Sequence, residues 1–302
     1  MIIIAGENEE NIRLDAYLAE FMPELSRSKI QGFIKNSDIL INGSAKKPSY
    51  SLKEGDRVEV NIPEEKNLEI EPENIPLDIV YEDDNMLVVN KPSGMLTHPT
   101  NMERTNTLVN ALLYKFGENL SDINGDFRRG ILHRLDRNTS GLLMIAKNNK
   151  SHEFLAEQIK NHTVLKKYRA ILKGIFPEDE KIINLPVGRN PNQPHKMMVR
   201  EDGKESTTIL KVTNRFKEAT AVELTLITGR THQIRVHTSF LNHPVYNDTL
   251  YGAGKGKVST QEQVLQSFFL RFTKPFSDEI IELEIQPDEK YKKVLNYFES
   301  RK

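Results

Sequence analysis

The chain has 302 residues, of which 42 are basic and 43 acidic, and its formal net charge is −1. This length suits one large domain or two smaller ones, and a hydrophobic content of 37% is enough to form a core. The near-neutral charge excludes a uniformly basic surface, and the absence of cysteine excludes disulfides and thiolate metal sites. No stretch approaches the roughly 18 apolar residues of a membrane span, and the amino terminus lacks the basic flank of a signal peptide. We therefore expect a cytoplasmic protein with no membrane partner.

The first 60 residues predict a small α+β module. Apolar residues at helical spacing predict two helices, the first over residues 14–21 and the second after an N-cap at Ser26. An Asn-Gly pair at 42–43 predicts a hairpin that follows a strand at 39–41. Alternating apolar residues predict another strand over 58–62.

Basic residues in the second helix suggest that this module binds RNA. Arg27 and Lys29 lie in the first turn, off the apolar stripe, where they can attract phosphates of any sequence. On charge count alone, a solvated helix face is the better interpretation, because residues 11–60 also carry seven acidic side chains.

Residues 63–76 predict a linker. This segment contains five glutamates, three prolines and little apolar content, a composition typical of semi-extended chain. We therefore predict a first domain over residues 1–62 and a second over residues 77–302.

The second domain is predicted to have α+β architecture with a mostly antiparallel sheet, because its short strands outnumber its helices. Helices are expected after caps at Thr107, near Ser151 and at Thr231. The predicted strands lie near residues 77–81, 86–90, 142–146, 164–173, 208–213, 221–227, 268–273 and 280–285.

One stretch of this domain, residues 130–147, places a single carboxylate between two arginines. Asp136 follows Arg134 by two residues and directly precedes Arg137. The apolar run at 142–146 predicts that Asp136 lies on a loop feeding a buried strand, where the flanking cations would favour its ionised form. From spacing alone, a surface ion pair that contributes little is the more frequent arrangement.

Residues 133–141, with the sequence HRLDRNTSG, resemble the catalytic motif of the RluA-type pseudouridine synthases. The resemblance extends over essentially the whole chain and is also strong at 86–99 and 226–252. The amino-terminal module resembles the alpha-L RNA-binding module of a small-subunit ribosomal protein. This resemblance implies a mostly antiparallel mixed-sheet catalytic domain, and an isomerase that converts uridine to pseudouridine in RNA.

The resemblance also implies roles for five side chains. Asp136 would be the catalytic carboxylate and Arg235 its salt-bridge partner. Tyr168 would pack on the target base, although on position alone it is a core tyrosine. Arg134 would fill the space that the flipped uridine leaves, and His133 would orient the loop. Whether Asp136 adds to the base, adds to the sugar or removes a sugar proton stays open.

The late cluster at residues 226–237 contains two histidines and two arginines, which invites a metal hypothesis. His232 and His237 are five residues apart and would face apart on a helix or a strand, and no HExxH pattern is present. We therefore predict no metal, and we assign Arg230 in this cluster to RNA binding together with Arg27 and Lys29.

Pseudouridine formation involves no redox change or group transfer, so we expect no cofactor. The combination of modules resembles the RluD-type synthases, which implies large-subunit (23S) ribosomal RNA as the partner and a role in ribosome biogenesis for a monomer. A tRNA synthase of the same family and a non-catalytic RNA-binding protein are the alternatives. A glycoside hydrolase is disfavoured, because Asp136 lacks the second carboxylate that such enzymes need.

Overall fold

The computed structural model describes residues 1–23, 25–62, 70–254, 256–260 and 262–301. The chain divides into two compact units, Met1–Leu68 and Glu69–Lys302. Residues 63–69 of the expected linker lie outside the described residues, so its extent stays a prediction. In the part of the chain that the structure describes, no helix is long and apolar enough to cross a membrane.

The first unit is a three-stranded antiparallel sheet covered by two helices. The sheet has the order β1-β3-β2, and apolar side chains of both helices pack on it in one buried cluster. Both predicted helices and the predicted hairpin strand are confirmed, whereas the first strand was not predicted. The elements are β1 Ile2–Ile4, α1 Leu14–Phe21, α2 Arg27–Lys35, β2 Ile39–Ile41 and β3 Arg57–Val60.

The second unit is built on a nine-stranded mixed sheet. Its strands are β4 Ile79–Glu82, β5 Met86–Lys91, β6 Ser140–Ala146, β7 Leu165–Lys173, β8 Glu180–Asn184, β11 Thr207–Arg215, β12 Ala219–Leu226, β13 Leu265–Thr273 and β14 Ile280–Glu284. A separate two-stranded ribbon comprises β9 Val187–Arg189 and β10 Met197–Val199. The helices are α3 Leu108–Phe116, α4 Asn149–Lys160, α5 Gln233–Phe240 and α6 Glu289–Glu299.

The strand order confirms the predicted fold class. The order is β4-β5-β6-β13-β7-β12-β11-β8, and β14 pairs with β13. Only the pairing of β6 with β13 is parallel among the pairs of the described sheet. In this strand order β6, β13 and β7 are neighbours. The loop before β6 therefore lies close to the face of β7.

Close contact between β6 and β13 depends on Gly141. Its φ of +118° lies in the region that favours glycine, and a Cβ atom built there would lie 2.0 Å from the carbonyl oxygen of Ser267. No side chain fits in that space. The glycine therefore allows the strand that follows the Asp136 loop to lie against β13.

Two predicted helix starts were wrong. The N-cap of α4 is Asn148, whose side chain accepts a hydrogen bond from the Ser151 amide at 2.9 Å. The Ser151 hydroxyl instead donates to the carbonyl of Asn85 at 2.7 Å. The N-cap of α5 is His232, in a left-handed conformation with φ of +57°, and not Thr231. The Asn148 side chain thus caps α4, whereas His232 makes no side-chain capping hydrogen bond.

Residues 70–76 of the expected linker are bound to the second unit. Ile70 is buried in its main core. Asn110 on α3 donates a side-chain hydrogen bond to the carbonyl of Glu71 at 2.8 Å and accepts one at its own carbonyl from the Glu73 amide at 3.0 Å. This part of the segment is therefore extended but held in place.

Candidate active site

The loop that carries Asp136 is held by hydrogen bonds on its amino-terminal side. The Thr97 hydroxyl donates to the carbonyl of Leu135 at 2.9 Å. The Nε2 atom of His133 accepts from the Met144 amide at 3.1 Å, which requires that nitrogen to carry no proton. Burial lowers the pKa of His133 to about 3, so the ring is neutral and can accept this bond at physiological pH.

Two lysines hold the carbonyl groups that follow Asp136. Lys91 is fully buried, and its Nζ donates to the carbonyl of Arg137 at 3.1 Å. Lys290 on α6 donates to the carbonyl of Asn138 at 2.7 Å. With its backbone bound before and after it, Asp136 presents its carboxylate from a fixed position.

Arg235 on α5 is shared between two carboxylates. Its Nη1 lies 3.1 Å from Oδ2 of Asp136. Its opposite edge makes a two-point contact with Asp248, with distances of 2.7 Å from Nε to Oδ2 and 3.0 Å from Nη2 to Oδ1. Burial by itself lowers the pKa of Arg235, but the hydrogen bonds and charge of Asp248 outweigh it, so the pKa is raised overall. The guanidinium therefore stays positively charged. The nitrogen that Asp248 does not bind faces Asp136.

Tyr251 and His232 complete the surroundings of this ion pair. The Tyr251 ring lies under the guanidinium, 4.9 Å from its central carbon to the ring centroid. The Tyr251 hydroxyl is hydrogen bonded to Nδ1 of His232 at 2.7 Å. The other ring nitrogen of His232 lies 3.8 Å from Oδ2 of Asp136, too far for a hydrogen bond, and burial lowers the pKa of this histidine.

Tyr168 forms a wall of the cavity into which Asp136 points. This cavity has a volume of about 440 Å³ and is also lined by Arg235 and Leu265. Tyr168 is buried on β7, and burial raises the pKa of its hydroxyl to about 12. The phenol is therefore protonated at neutral pH, and its ring supplies an apolar surface beside the carboxylate.

The remaining predicted site residues fall into two groups. Arg134, Arg230 and His133 line the same cavity, and the Nε of Arg230 donates to the carbonyl of Glu205 at 3.0 Å. Arg27 and Lys29 are exposed residues of α2 in the first unit. The structure therefore brings Asp136, Tyr168, Arg235, Arg134, Arg230 and His133 together in one site.

The arginines beside Asp136 in sequence are not its partners, contrary to expectation. Arg137 binds Glu103, with Nη1 2.9 Å from Oε1. No hydrogen bond joins Arg134 to Asp136 within the described part of the chain. Successive side chains of a turn point in different directions, so the cation that binds Asp136 comes from Arg235, 99 residues later.

Sequence reasoning assigned no role to Asp248, Tyr251, Lys91 or Lys290. Asp248 and Tyr251 lie in the stretch at 226–252. The resemblance of that stretch to the family was the signal that could have found them. Lys290 gave no signal, because it is an ordinary lysine in an amphipathic helix. Among the described residues, no group of three or more His, Cys, Asp or Glu side chains could hold a metal ion.

The site combines a single arginine-bound carboxylate with an aromatic wall, and the chain carries a separate small α+β module. The family model described as RNA pseudouridylate synthase matches residues 85–240, and the S4 domain model matches residues 12–58. The chain therefore belongs to the RNA pseudouridylate synthase family, and it is an isomerase.

Individual relatives agree with this assignment. An uncharacterized RNA pseudouridine synthase, YlyB of Bacillus subtilis (strain 168), is 42% identical over 93% of this chain and 92% of its own length. Ribosomal large subunit pseudouridine synthase D of Neisseria meningitidis serogroup A is 40% identical over 92% of this chain and 77% of its own. The solved structure of human RNA Pseudouridylate Synthase Domain Containing 1 is 31% identical, with a TM-score of 0.57, over 70% of this chain and 83% of that one.

Proposed function

We propose that this protein isomerises specific uridines of large-subunit ribosomal RNA to pseudouridine, with Asp136 as the catalytic carboxylate. The contact between Asp136 and Arg235, inside a cavity walled by Tyr168, is the observation that carries the proposal. The relative named ribosomal large subunit pseudouridine synthase D supports the choice of substrate. Such a substrate makes the protein a cytoplasmic factor in ribosome biogenesis.

The reaction needs no electron acceptor, because uridine and pseudouridine are isomers at the same overall oxidation level. The bond from the ribose C1′ to N1 of uracil breaks, the base turns, and a bond from C1′ to C5 forms. The proton on C5 leaves and N1 gains one, so the balance closes without a cofactor. One oriented carboxylate is enough to assist this sequence, and Asp136 is the only acidic residue among the described residues that line the cavity.

Arg235 holds this carboxylate in position. Because Asp248 binds two of its nitrogen atoms, the guanidinium cannot rotate, and its remaining edge fixes Oδ2 of Asp136. A reacting group that is held in alignment lowers the activation free energy, because its orientation is fixed before the reaction begins. The role of Arg235 in this proposal is therefore to keep the Asp136 carboxylate correctly aimed.

The target uridine has to leave its stack to reach the cavity, at a cost of a few kcal/mol. The protonated Tyr168 packs on the flipped base and replaces part of the lost stacking. Arg134 occupies the space that the base leaves, and Arg230 binds phosphate at the cavity mouth. In the first unit, Arg27 and Lys29 bind the RNA backbone.

Incubation of the purified protein with an unmodified large-subunit rRNA transcript, followed by mapping of pseudouridine, tests this function. We expect new pseudouridine at a few defined uridines. A parallel reaction with unmodified tRNA tests the alternative substrate. Modification of tRNA alone would overturn the rRNA assignment, and uridines left unchanged in both RNAs would identify a non-catalytic binder.

A further inference from the structure

One cation that lines the active-site cavity has no hydrogen-bond or ion-pair partner among the described residues. Lys166 lies on β7, is only 6% exposed and lines the cavity. No hydrogen bond or ion pair to its Nζ occurs within the described ranges of the chain. A Cβ atom built at Gly229 would lie 3.7 Å from this nitrogen.

The protein itself does little to compensate the ammonium group in this position. The Lys166 side chain is nearly covered, but its Nζ is not among the fully buried atoms without a partner, so the charge stays open to the cavity. Burial correspondingly lowers the pKa of Lys166. A charge kept at such a place suggests a ligand that brings the missing negative charge.

The lining of the cavity indicates which ligand supplies that charge. Lys160 and Arg230 add further positive charge to the lining, whereas Asp136 is the single acid among its described residues. Lys166 and Tyr168 are two positions apart on one strand, so their side chains share a face and start about 7 Å from each other. This separation is comparable to that between a nucleotide base and its own phosphates.

We propose that Lys166 binds a phosphate adjacent to the target uridine and thereby positions the flipped nucleotide, with its base on Tyr168. The inference rests on the proposed function, because it requires an RNA substrate in this cavity. The inference adds to that function a phosphate contact inside the cavity. The contact is made by Lys166, to which the sequence analysis assigned no role.

The neighbouring Lys167 provides a matched control. Its side chain lies on the opposite face of β7, with Nζ 5.2 Å from the centroid of the Phe269 ring. Lys166→Met and Lys167→Met each remove one ammonium group from adjacent positions of the same strand. Only the first removes it from the cavity.

We expect Lys166→Met to lower kcat/KM on the mapped rRNA substrate by about 10- to 100-fold, the usual loss for a hydrogen bond to a charged group. Lys167→Met should stay within about twofold of wild type. Lys166→Arg, which keeps the charge, should recover most of the loss. The salt dependence of kcat/KM for Lys166→Met should also be shallower by about one phosphate contact. Its thermal stability should stay close to that of wild type, because the Lys166 ammonium makes no ion pair with the described residues.

A modified substrate tests the contact from the RNA side. In short RNAs that contain the mapped site, the phosphate before or after the uridine is replaced by an uncharged methylphosphonate, and a 2′-O-methyl group on the preceding ribose prevents cleavage. At one of the two phosphates, wild type should lose activity about as much as Lys166→Met does on normal RNA. Lys166→Met should lose little more there, because its contact is already absent.

Two results separate this inference from the proposed function. If wild type modifies the rRNA but Lys166→Met behaves like Lys167→Met, only the phosphate contact is wrong. The same holds if methylphosphonate penalises wild type and Lys166→Met equally at both positions. If wild type modifies neither rRNA nor tRNA, the proposed function itself fails and the inference fails with it.

Discussion

At the scale of single residues, the site depends on one guanidinium shared by two carboxylates. The side chains of Arg235 and Asp248 are 7% and 1% exposed, and that of Asp136 is 16% exposed. Lysine could not replace this arginine without loss, because an ammonium group lacks the planar fork that binds both carboxylates at once. We therefore expect both stability and turnover to depend on Arg235.

Replacement of Arg235 tests this double role. Arg235→Met leaves the Asp248 carboxylate buried without its cation, so we expect unfolding to become easier by about 3–5 kcal/mol. Turnover should fall by about 100-fold or more, because Asp136 loses its orientation. Steady-state kinetics below the melting temperature separate the two effects.

Arg271→Met is the control, since Arg271 is half-exposed and pairs with the exposed Glu282 at the sheet surface. It should change neither turnover nor stability appreciably. Turnover of Arg235→Met within tenfold of the control would remove Arg235 from the proposed role.

At the scale of elements, a buried carboxylate of α1 organises the basic surface of the first unit. Asp15 is inaccessible to solvent and accepts hydrogen bonds from Arg13, Arg27 and Gln31, three of them at 3.0 Å and that from Gln31 at 2.6 Å. The hydrogen bonds from Arg13 act most strongly to lower the pKa of Asp15. The two arginines keep about half of their side-chain surface exposed and stay available to phosphates.

Asp15→Asn should therefore destabilise the first unit in a pH-dependent way. The pKa is lower in the folded state, so the ionised carboxylate stabilises the fold above its ordinary pKa of about 3.9 and loses this effect as pH falls through the folded pKa. We expect a loss of about 1–3 kcal/mol at pH 7 that shrinks steadily as the pH is lowered from about 5 toward 2.

Denaturant unfolding of the full chain at several pH values measures this loss. Glu20→Gln is the control, because Glu20 is an exposed acid of the same helix. A loss for Asp15→Asn that is constant with pH would show that the carboxylate charge is not what organises these side chains. RNA affinity of Asp15→Asn should fall as well, because Arg13 and Arg27 lose their orientation.

Elements whose apolar residues recur at helical or strand spacing could be predicted from the sequence. Elements without such a pattern could not. The helix α2 and the strand β6 carry an uninterrupted apolar pattern together with a cap or a glycine at the start. By contrast, β1 has three residues and only partial burial, and the β9–β10 ribbon is equally short. The pairing of β1 is decided by contacts distant in sequence, since Ile2 lies opposite Glu59 of β3, and no local pattern contains such contacts.

The same division holds for the site. The loop position of Asp136 followed from its sequence neighbours, whereas its pairing with Arg235 came only from the resemblance. Asp248 and Lys290 act through contacts that exist only in the folded chain. The residues that surround them in the sequence therefore do not predict these contacts. Charge proximity in sequence even pointed to Arg137, which binds Glu103 instead.

At the scale of the second unit as a whole, the helix α6 contacts the loop that carries Asp136. Apolar residues of α6 pack into a buried cluster with residues of β7 and β12. From this base, Lys290 reaches the carbonyl of Asn138, and Asp288 accepts a hydrogen bond from Ser140 at 2.5 Å. The end of the chain thus supports the loop that carries Asp136, far from it in sequence.

Lys290→Met should lower kcat by about tenfold with little change in KM, because it loosens the loop without touching the RNA. Lys292→Met, on the exposed side of α6 where Lys292 pairs with Glu289, is the matched control and should resemble wild type. Steady-state kinetics on the mapped rRNA site compare the two. Equal kcat values for both variants would contradict a supporting role for α6.

The central claim is that Asp136 carries out the isomerisation, and Asp136→Asn tests it most directly. The asparagine has nearly the same shape and leaves the contact of Arg235 with Asp248 in place. Pseudouridine formation on unmodified rRNA should be slower by a factor of about 1,000 or more, while RNA affinity stays within about twofold of wild type. Turnover by Asp136→Asn within tenfold of wild type would contradict the account.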